Sequence, residues 1–244
     1  MKTLVIIPSR MSATRLPGKP LFKINDISII STVYKKAVEA NIGDVIVATE
    51  DQEIIDDVEL NGGNAILTDN THKTGTDRIF QAFERYNEKN IDLVMNLQGD
   101  EPMINIEDIK NLNDKSCSEK SNMSTLAAKI KSKEDYKNSN VVKVETYEEL
   151  NNKNFPTAVN FERIINQNIE NIYHHLGIYC YSVDTLQRFI NLSQSEREKN
   201  SKLEQLRALD NGIKINVSLA KNTPIGVDTM EDYMAIKKIL EYKN

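Results

Sequence analysis

Only two of the 244 residues are cysteine, Cys117 and Cys180, and they stand far apart with no CxxC spacing. That spacing argues against a disulfide framework and a thiolate metal site, and ordinary reduced thiols point to a cytoplasmic setting. No apolar stretch approaches the ~20 residues of a bilayer span, so no membrane insertion is expected. The apolar part of the opening "MKTLVIIPSR" is short for a signal peptide and reads better as a strand. A basic excess is missing as well. With 36 acidic and 31 basic residues the formal net charge is -5, which argues against a nucleic-acid partner. Neither GxGxxG nor GxxxxGK[ST] follows the first apolar run. A NAD-dependent dehydrogenase is therefore the weakest candidate.

What the sequence does have is alternation. Strand-like runs at 3–8, 44–49, 64–68 and 92–97 are separated by helical patterns at 28–40, 51–61 and 76–89. In the last of these, Ile79, Phe80, Phe83 and Tyr86 share one face. Strands alternating with helices of this length predict an α/β fold, with a mostly parallel, doubly wound sheet and helices on both faces. The rhythm changes after 104. Runs at 124–130, 140–146 and 156–165 lack long helices between them, so a small mixed or antiparallel subdomain is expected within one domain, at roughly 120–190. Segments 112–122 and 148–154 read as polar loops, the first as the best candidate for disorder. A buried strand is expected at 176–182, helices at 184–191 and 196–211, a strand at 214–220 and a closing helix at 229–242 with Thr229 as its N-cap.

In an open α/β sheet, ligands bind beyond the carboxyl ends of the strands. The first such loop is "PSRMSATRLPGKP", where an acidic protein gathers Arg10, Arg15 and Lys19. Gly18 permits a tight turn, and the small residues Ser12 and Ala13 allow close approach to the main chain. The cations suit a polyphosphate better than they suit a plain solvated loop. After the fourth strand, "NLQGDEPMI" places Asp100 on the rim. It is either part of a good turn or a carboxylate for a divalent ion that bridges phosphate oxygens. Asp228, in "PIGVDTMED", is on local grounds a helix cap, and otherwise a second metal carboxylate. His174 and His175 are adjacent on a strand and so face opposite sides. One of them is either a ligand contact or a core histidine. Glu204 and Arg207 read most simply as an exposed i,i+3 pair. Thr74-Gly75-Thr76 opens a helix with Asp77 in its first turn, a cap first and a nucleotide contact second.

Taken together, "IIPSRMSATRLPGKPL", "VIVATED", "TGTDRI", "NLQGDEPMI", "NVVKV", "HHLGIYCY", "LEQLRAL" and "GVDTMED" resemble the 3-deoxy-manno-octulosonate cytidylyltransferase family, in the family's order and over nearly the whole chain. The resemblance implies a nucleotidyltransferase-type α/β enzyme with a dimerising subdomain. It would join CTP to the acid sugar Kdo, giving CMP-Kdo and pyrophosphate for lipopolysaccharide synthesis. Mg²⁺ is the implied cofactor and a homodimer the implied assembly. Carried over by motif, Pro8, Ser9, Arg10, Arg15, Lys19, Thr74, Gly75, Thr76 and Asp100 would bind CTP. Gln98, His175 and Glu204 would contact the sugar, and Asp100 and Asp228 would hold the metal. Arg10, Lys19, Asp100 and Asp228 would form the catalytic set.

The sequence departs from the family between 155 and 172. There "VNFERIINQNIENIYHH" keeps Phe161 and Arg163 but has Glu162 where the family carries a small residue, and it lacks an Ile-Pro pair. A Kdo variant such as the 8-amino form, or another 2-keto acid sugar, is thus an alternative acceptor. Two rival readings are a sugar 1-phosphate nucleotidyltransferase and a non-catalytic nucleotide-binding protein. The first is disfavoured by Ser12-Ala13-Thr14 in place of a Gly-rich loop, the second by the intact charged set.

Overall fold

The first strand, β1 (Thr3–Ser9), buries Leu4, Val5, Ile6 and Ile7 completely. A continuous apolar run of this kind needs cover on both faces of its sheet. The computed structural model describes residues 1–72, 74–88, 90–166 and 170–241. It divides into two compact units, Met1–Ile109 with Pro224–Asn244, and Lys110–Thr223.

In the first unit, β2 (Lys23–Ile24) and β3 (Ile27–Ser28) form a small antiparallel ribbon. Then follow α1 (Ile29–Ala40), β4 (Gly43–Thr49), α2 (Gln52–Leu60), β5 (Ala65–Leu67), α3 (Gly75–Tyr86) and β6 (Leu93–Asn96). The strands pair in the order β6-β1-β4-β5, all parallel, with Thr3 opposite both Gly43 and Leu93. The three helices pack around this sheet. Their starts are set locally: Ser28 Oγ accepts the Ser31 N–H at 3.1 Å, and Thr74 and Asp77 form a reciprocal capping box. Helix α3 is rotated from its expected face. Ile79 and Ala82 are fully buried, while Phe80, Phe83 and Tyr86 are only half-buried.

The unit boundary falls within α4 (Ile106–Ser118). This helix replaces the first part of the polar loop expected at 112–122. Asn105 Oδ1 accepts the Glu107 N–H at its start, and Leu112, Asn113 and Ser116 are buried. Ser116 Oγ reaches the Leu112 carbonyl and Ser124 Oγ, both at 2.6 Å. Small polar residues therefore occupy positions where apolar ones would have shown the helical period.

The second unit contains β7 (Met123–Ala128), β8 (Lys143–Thr146), β9 (Ala158–Glu162), β10 (Ile172–Ser182), α5 (Val183–Ile190), α6 (Glu196–Ser201), α7 (Gln205–Asp210) and β11 (Ile215–Leu219). Strand β10 pairs antiparallel with β7 and β8, β8 pairs antiparallel with β9, and β11 pairs parallel with β7. The helix expected over 196–211 is broken in two. Lys202 is left-handed (φ 53), and the Ser201 and Lys202 carbonyls accept from Arg163 Nε and Nη2 at 2.7 and 3.1 Å. A residue far along the chain thus caps a break that helix propensity does not show. Helix α8 (Met230–Glu241) returns to the first unit, where the Tyr233 hydroxyl donates to the Lys23 carbonyl at 2.7 Å.

Positions 89 and 242, the last of two expected helices, and 167–169 of the divergent segment lie outside the described residues. No helix among the described residues is long and apolar enough to cross a membrane.

Candidate functional site

A cavity of about 400 Å³ opens in the first unit beyond the ends of β1 and β6. Pro8, Ser9, Arg10, Arg15, Lys19, Thr74, Gly75, Gln98, Asp100 and Asp228 all line it. Thr76 is buried at 2% exposure and does not line the cavity.

Local chemistry shapes the loop. Gly18 adopts φ 74, a left-handed conformation that costs an L-residue with a side chain energy. Its N–H donates to the Met11 carbonyl at 2.9 Å, and the Met11 N–H in turn donates to Asp51 Oδ2 at 2.7 Å. Two non-local contacts then bring the distant segments together. Leu16, in mid-loop, is buried in one apolar cluster with Val227, Ile24, Ile29 and Ile236. The Val227 N–H donates to the Asp100 carbonyl at 2.8 Å.

The charges meet as a result. Lys19 Nζ lies 2.6 Å from Asp100 Oδ2, 3.3 Å from Asp228 Oδ1 and 2.7 Å from the Val227 carbonyl. Arg15 Nη2 lies 2.9 Å from the same Asp228 oxygen. Arg10 is exposed and has no ion pair among the described residues. Asp228 is not the helix cap. Thr229 Oγ1 accepts the Asp232 N–H at 3.2 Å and Asp232 Oδ2 accepts the Thr229 N–H at 2.9 Å, so Thr229 caps α8 as expected and the Asp228 carboxylate is left to the cavity. Next to Asp100, Glu101 Oε2 is buried with no hydrogen-bond partner. Burial first, then the charges of Asp100 and Asp228, push its carboxyl pKa up to about 8.

Sequence reasoning passed over two residues of the wall, His72 and Arg78. Arg78 is buried and its guanidinium is already engaged by Thr68 Oγ1 and Glu50. His72 stands two positions before the Thr74 cap, a placement that could have drawn attention in "THKTGTDRI".

The remaining expected residues belong to the second unit. His175 is a buried residue whose Nε2 lies 3.0 Å from Thr125 Oγ1. Its ring centroid is 5.0 Å from that of Phe161 and 5.5 Å from that of Tyr179. Burial, helped by His174, pushes its pKa down to about 3, so the ring is neutral. His174 is half-buried, which agrees with opposite-facing neighbours on a strand. The exposed Glu204–Arg207 pair is corrected. Arg207 is buried, its Nε and Nη2 reach the buried Glu198 carboxylate at 2.8 and 2.6 Å, and Glu204 Oε1 lies 3.6 Å away. The Arg207 guanidinium also stacks 4.8 Å from the Phe189 ring centroid. Glu198 lies nine residues upstream, on the other side of the helix interruption at Lys202, which i,i+3 spacing does not reveal.

Cations suited to a polyphosphate and a carboxylate pair, gathered beyond the strand ends of a parallel sheet, define a nucleotide-handling α/β protein. The chain belongs to the cytidylyltransferase family, whose model matches residues 4–215. A 3-deoxy-manno-octulosonate cytidylyltransferase of Afipia carboxidovorans is 42% identical, covering 98% of this chain and 96% of the relative. One of Paramagnetospirillum magneticum is 37% identical, covering 98% and 97%. A solved CMP:2-keto-3-deoxy-manno-octonic acid synthetase complexed with CTP superimposes with a TM-score of 0.90 at 33% identity, covering 100% of both chains.

Proposed function

We propose that this protein joins CTP to 3-deoxy-manno-octulosonate, giving CMP-Kdo and pyrophosphate in the supply of lipopolysaccharide precursors. The observation that carries this reading is the meeting of Arg15, Lys19, Asp100 and Asp228 in one cavity. It is supported by the full-length likeness to a synthetase solved with CTP. The anomeric 2-hydroxyl oxygen of the sugar bonds to the α-phosphorus while the bond from that phosphorus to the pyrophosphate oxygen breaks. The hydroxyl proton passes to water. Catalysis of this kind is chiefly positioning and charge stabilisation. Arg10, Arg15 and Lys19 grip the triphosphate and spread the charge that grows on the leaving group. Pro8, Ser9, Thr74 and Gly75 shape the nucleoside end, and the buried Thr76 acts behind them. Gln98, His175 and Glu204 are assigned to the sugar acid by motif.

Asp100 and Asp228 would hold Mg²⁺, which when bound neutralises phosphate oxygens. Two observations support the fit. One ammonium group already bridges both carboxylates, and Glu101 Oε2 is buried beside them without a partner. Among the described residues no group of three or more acidic, histidine or cysteine side chains converges. A homodimer and a cytoplasmic location complete the reading, the latter supported by free Cys117 and Cys180.

The test is pyrophosphate release from each of the four nucleoside triphosphates with Mg²⁺ and Kdo, 8-amino-Kdo or another 2-keto acid sugar. Release with CTP and Kdo is expected. Turnover confined to a sugar 1-phosphate, or CTP affinity without turnover on any acid sugar, would overturn the reading.

A further inference from the structure

His72 lines the cavity just before the cap of α3. Its Nε2 lies 2.8 Å from Gln81 Oε1. That oxygen also accepts the backbone N–H of Asp69 at 2.7 Å, and Gln81 Nε2 donates to Asp69 Oδ2. A backbone amide can only donate, so the oxygen end of Gln81 is the end that faces His72. His72 Nε2 therefore carries the hydrogen of this bond. In the neutral ring the lone pair is then on Nδ1, and no described residue bonds to that nitrogen.

Cytosine and uracil differ at position 4, where one presents an amino group and the other a carbonyl oxygen. A fixed acceptor there attracts the first and repels the second. Two other side chains near this end of the cavity are unsuited to the task. Arg78 only donates, and it already reaches Thr68 and Glu50, while Thr74 Oγ1 accepts the Asp77 N–H at 3.2 Å as the helix cap. We propose that His72 Nδ1 accepts a hydrogen bond from the 4-amino group of the cytosine base, and so selects CTP over UTP. Gln81 is the positioning residue that holds the required tautomer. This rests on the cytidylyltransfer reading above.

The experiment measures kcat/KM with Kdo for wild type, His72→Ala and His72→Phe. The nucleotides are CTP, UTP and a CTP analogue with a pyrimidin-2-one base, which lacks the 4-amino group. Wild type is expected to favour CTP over the analogue by about tenfold or more, the worth of a hydrogen bond lost in a desolvated site. In both variants the CTP-to-analogue ratio should fall to about one. Each preference is a ratio within one protein, so a partly unfolded variant lowers both values and leaves the ratio readable. CTP turnover with an unchanged CTP-to-analogue ratio in both variants overturns the role of His72 and leaves cytidylyltransfer standing. Absence of CTP turnover in wild type overturns both.

Discussion

Lys19 Nζ and Asp100 Oδ2 lie 2.6 Å apart, with the lysine side chain 13% exposed and the aspartate 34% exposed. A loop after the first strand and a turn after the last strand of the parallel sheet are thereby joined through charge. The same ammonium reaches Asp228. Replacing Lys19 with Met would leave two partly desolvated carboxylates facing each other. Stability is expected to fall by about 1–3 kcal/mol, and kcat/KM by about a hundredfold or more. Urea denaturation and pyrophosphate release measure the two effects, and wild-type values in both would show that the contact does neither job.

Asp100→Asn and Asp228→Asn should each slow turnover by about a hundredfold and raise the Mg²⁺ concentration needed for half-maximal rate. Because the two carboxylates are proposed to serve one site, the double variant should be little worse than either single one. A double variant whose loss is the full product of the single losses would mean that the two aspartates act independently.

His175 makes a pH prediction. Its pKa is about 3 in the folded protein against 6.5 for the free group. Between those values the unfolded chain binds the proton and the folded one does not, so stability is lost as pH falls from 6.5 towards 3. Other titrating groups are common to wild type and His175→Gln. The loss of melting temperature from pH 7 to pH 4.5 should therefore be smaller in the variant. Equal losses would argue against a buried neutral ring.

Glu198→Gln keeps the shape of the carboxylate but leaves the buried Arg207 charge without its bidentate partner. About 3 kcal/mol of destabilisation is expected in urea. The double variant Glu198→Gln with Arg207→Met removes the stranded charge and should recover part of that loss. A double variant less stable than Glu198→Gln alone would show that Arg207 contributes mainly through packing on Phe189.

The legible parts of this protein are those whose cause is local. The buried runs of β1 and β4, the helices between them, the turn at Gly18 and the Thr229 cap could all be read from neighbouring residues. Antiparallel pairing after 120 showed as strand-like runs without helices. Helix α4 was hidden because Asn113 and Ser116 occupy buried positions, and their burial depends on partners such as Ser124. The break between α6 and α7 depends on Arg163. The position of His72 just before the Thr74 cap was a weak sequence signal, and its contact with Gln81, nine residues on, was not legible there.

The sequence by itself determined which strands are buried on both faces, where most helices begin, and that cations follow the first strand while aspartates follow later ones. Those properties depend on residue type and on spacings of a few residues. Only the tertiary structure decided that Asp228 faces the cavity while Thr229 caps the helix. It alone brought Lys19 between two aspartates that stand 81 and 209 positions away, and buried Arg207 against Glu198. Contacts between remote segments arise from apolar clusters such as Leu16 with Val227, whose members are chosen by packing in three dimensions and carry no mark of their partner in the chain.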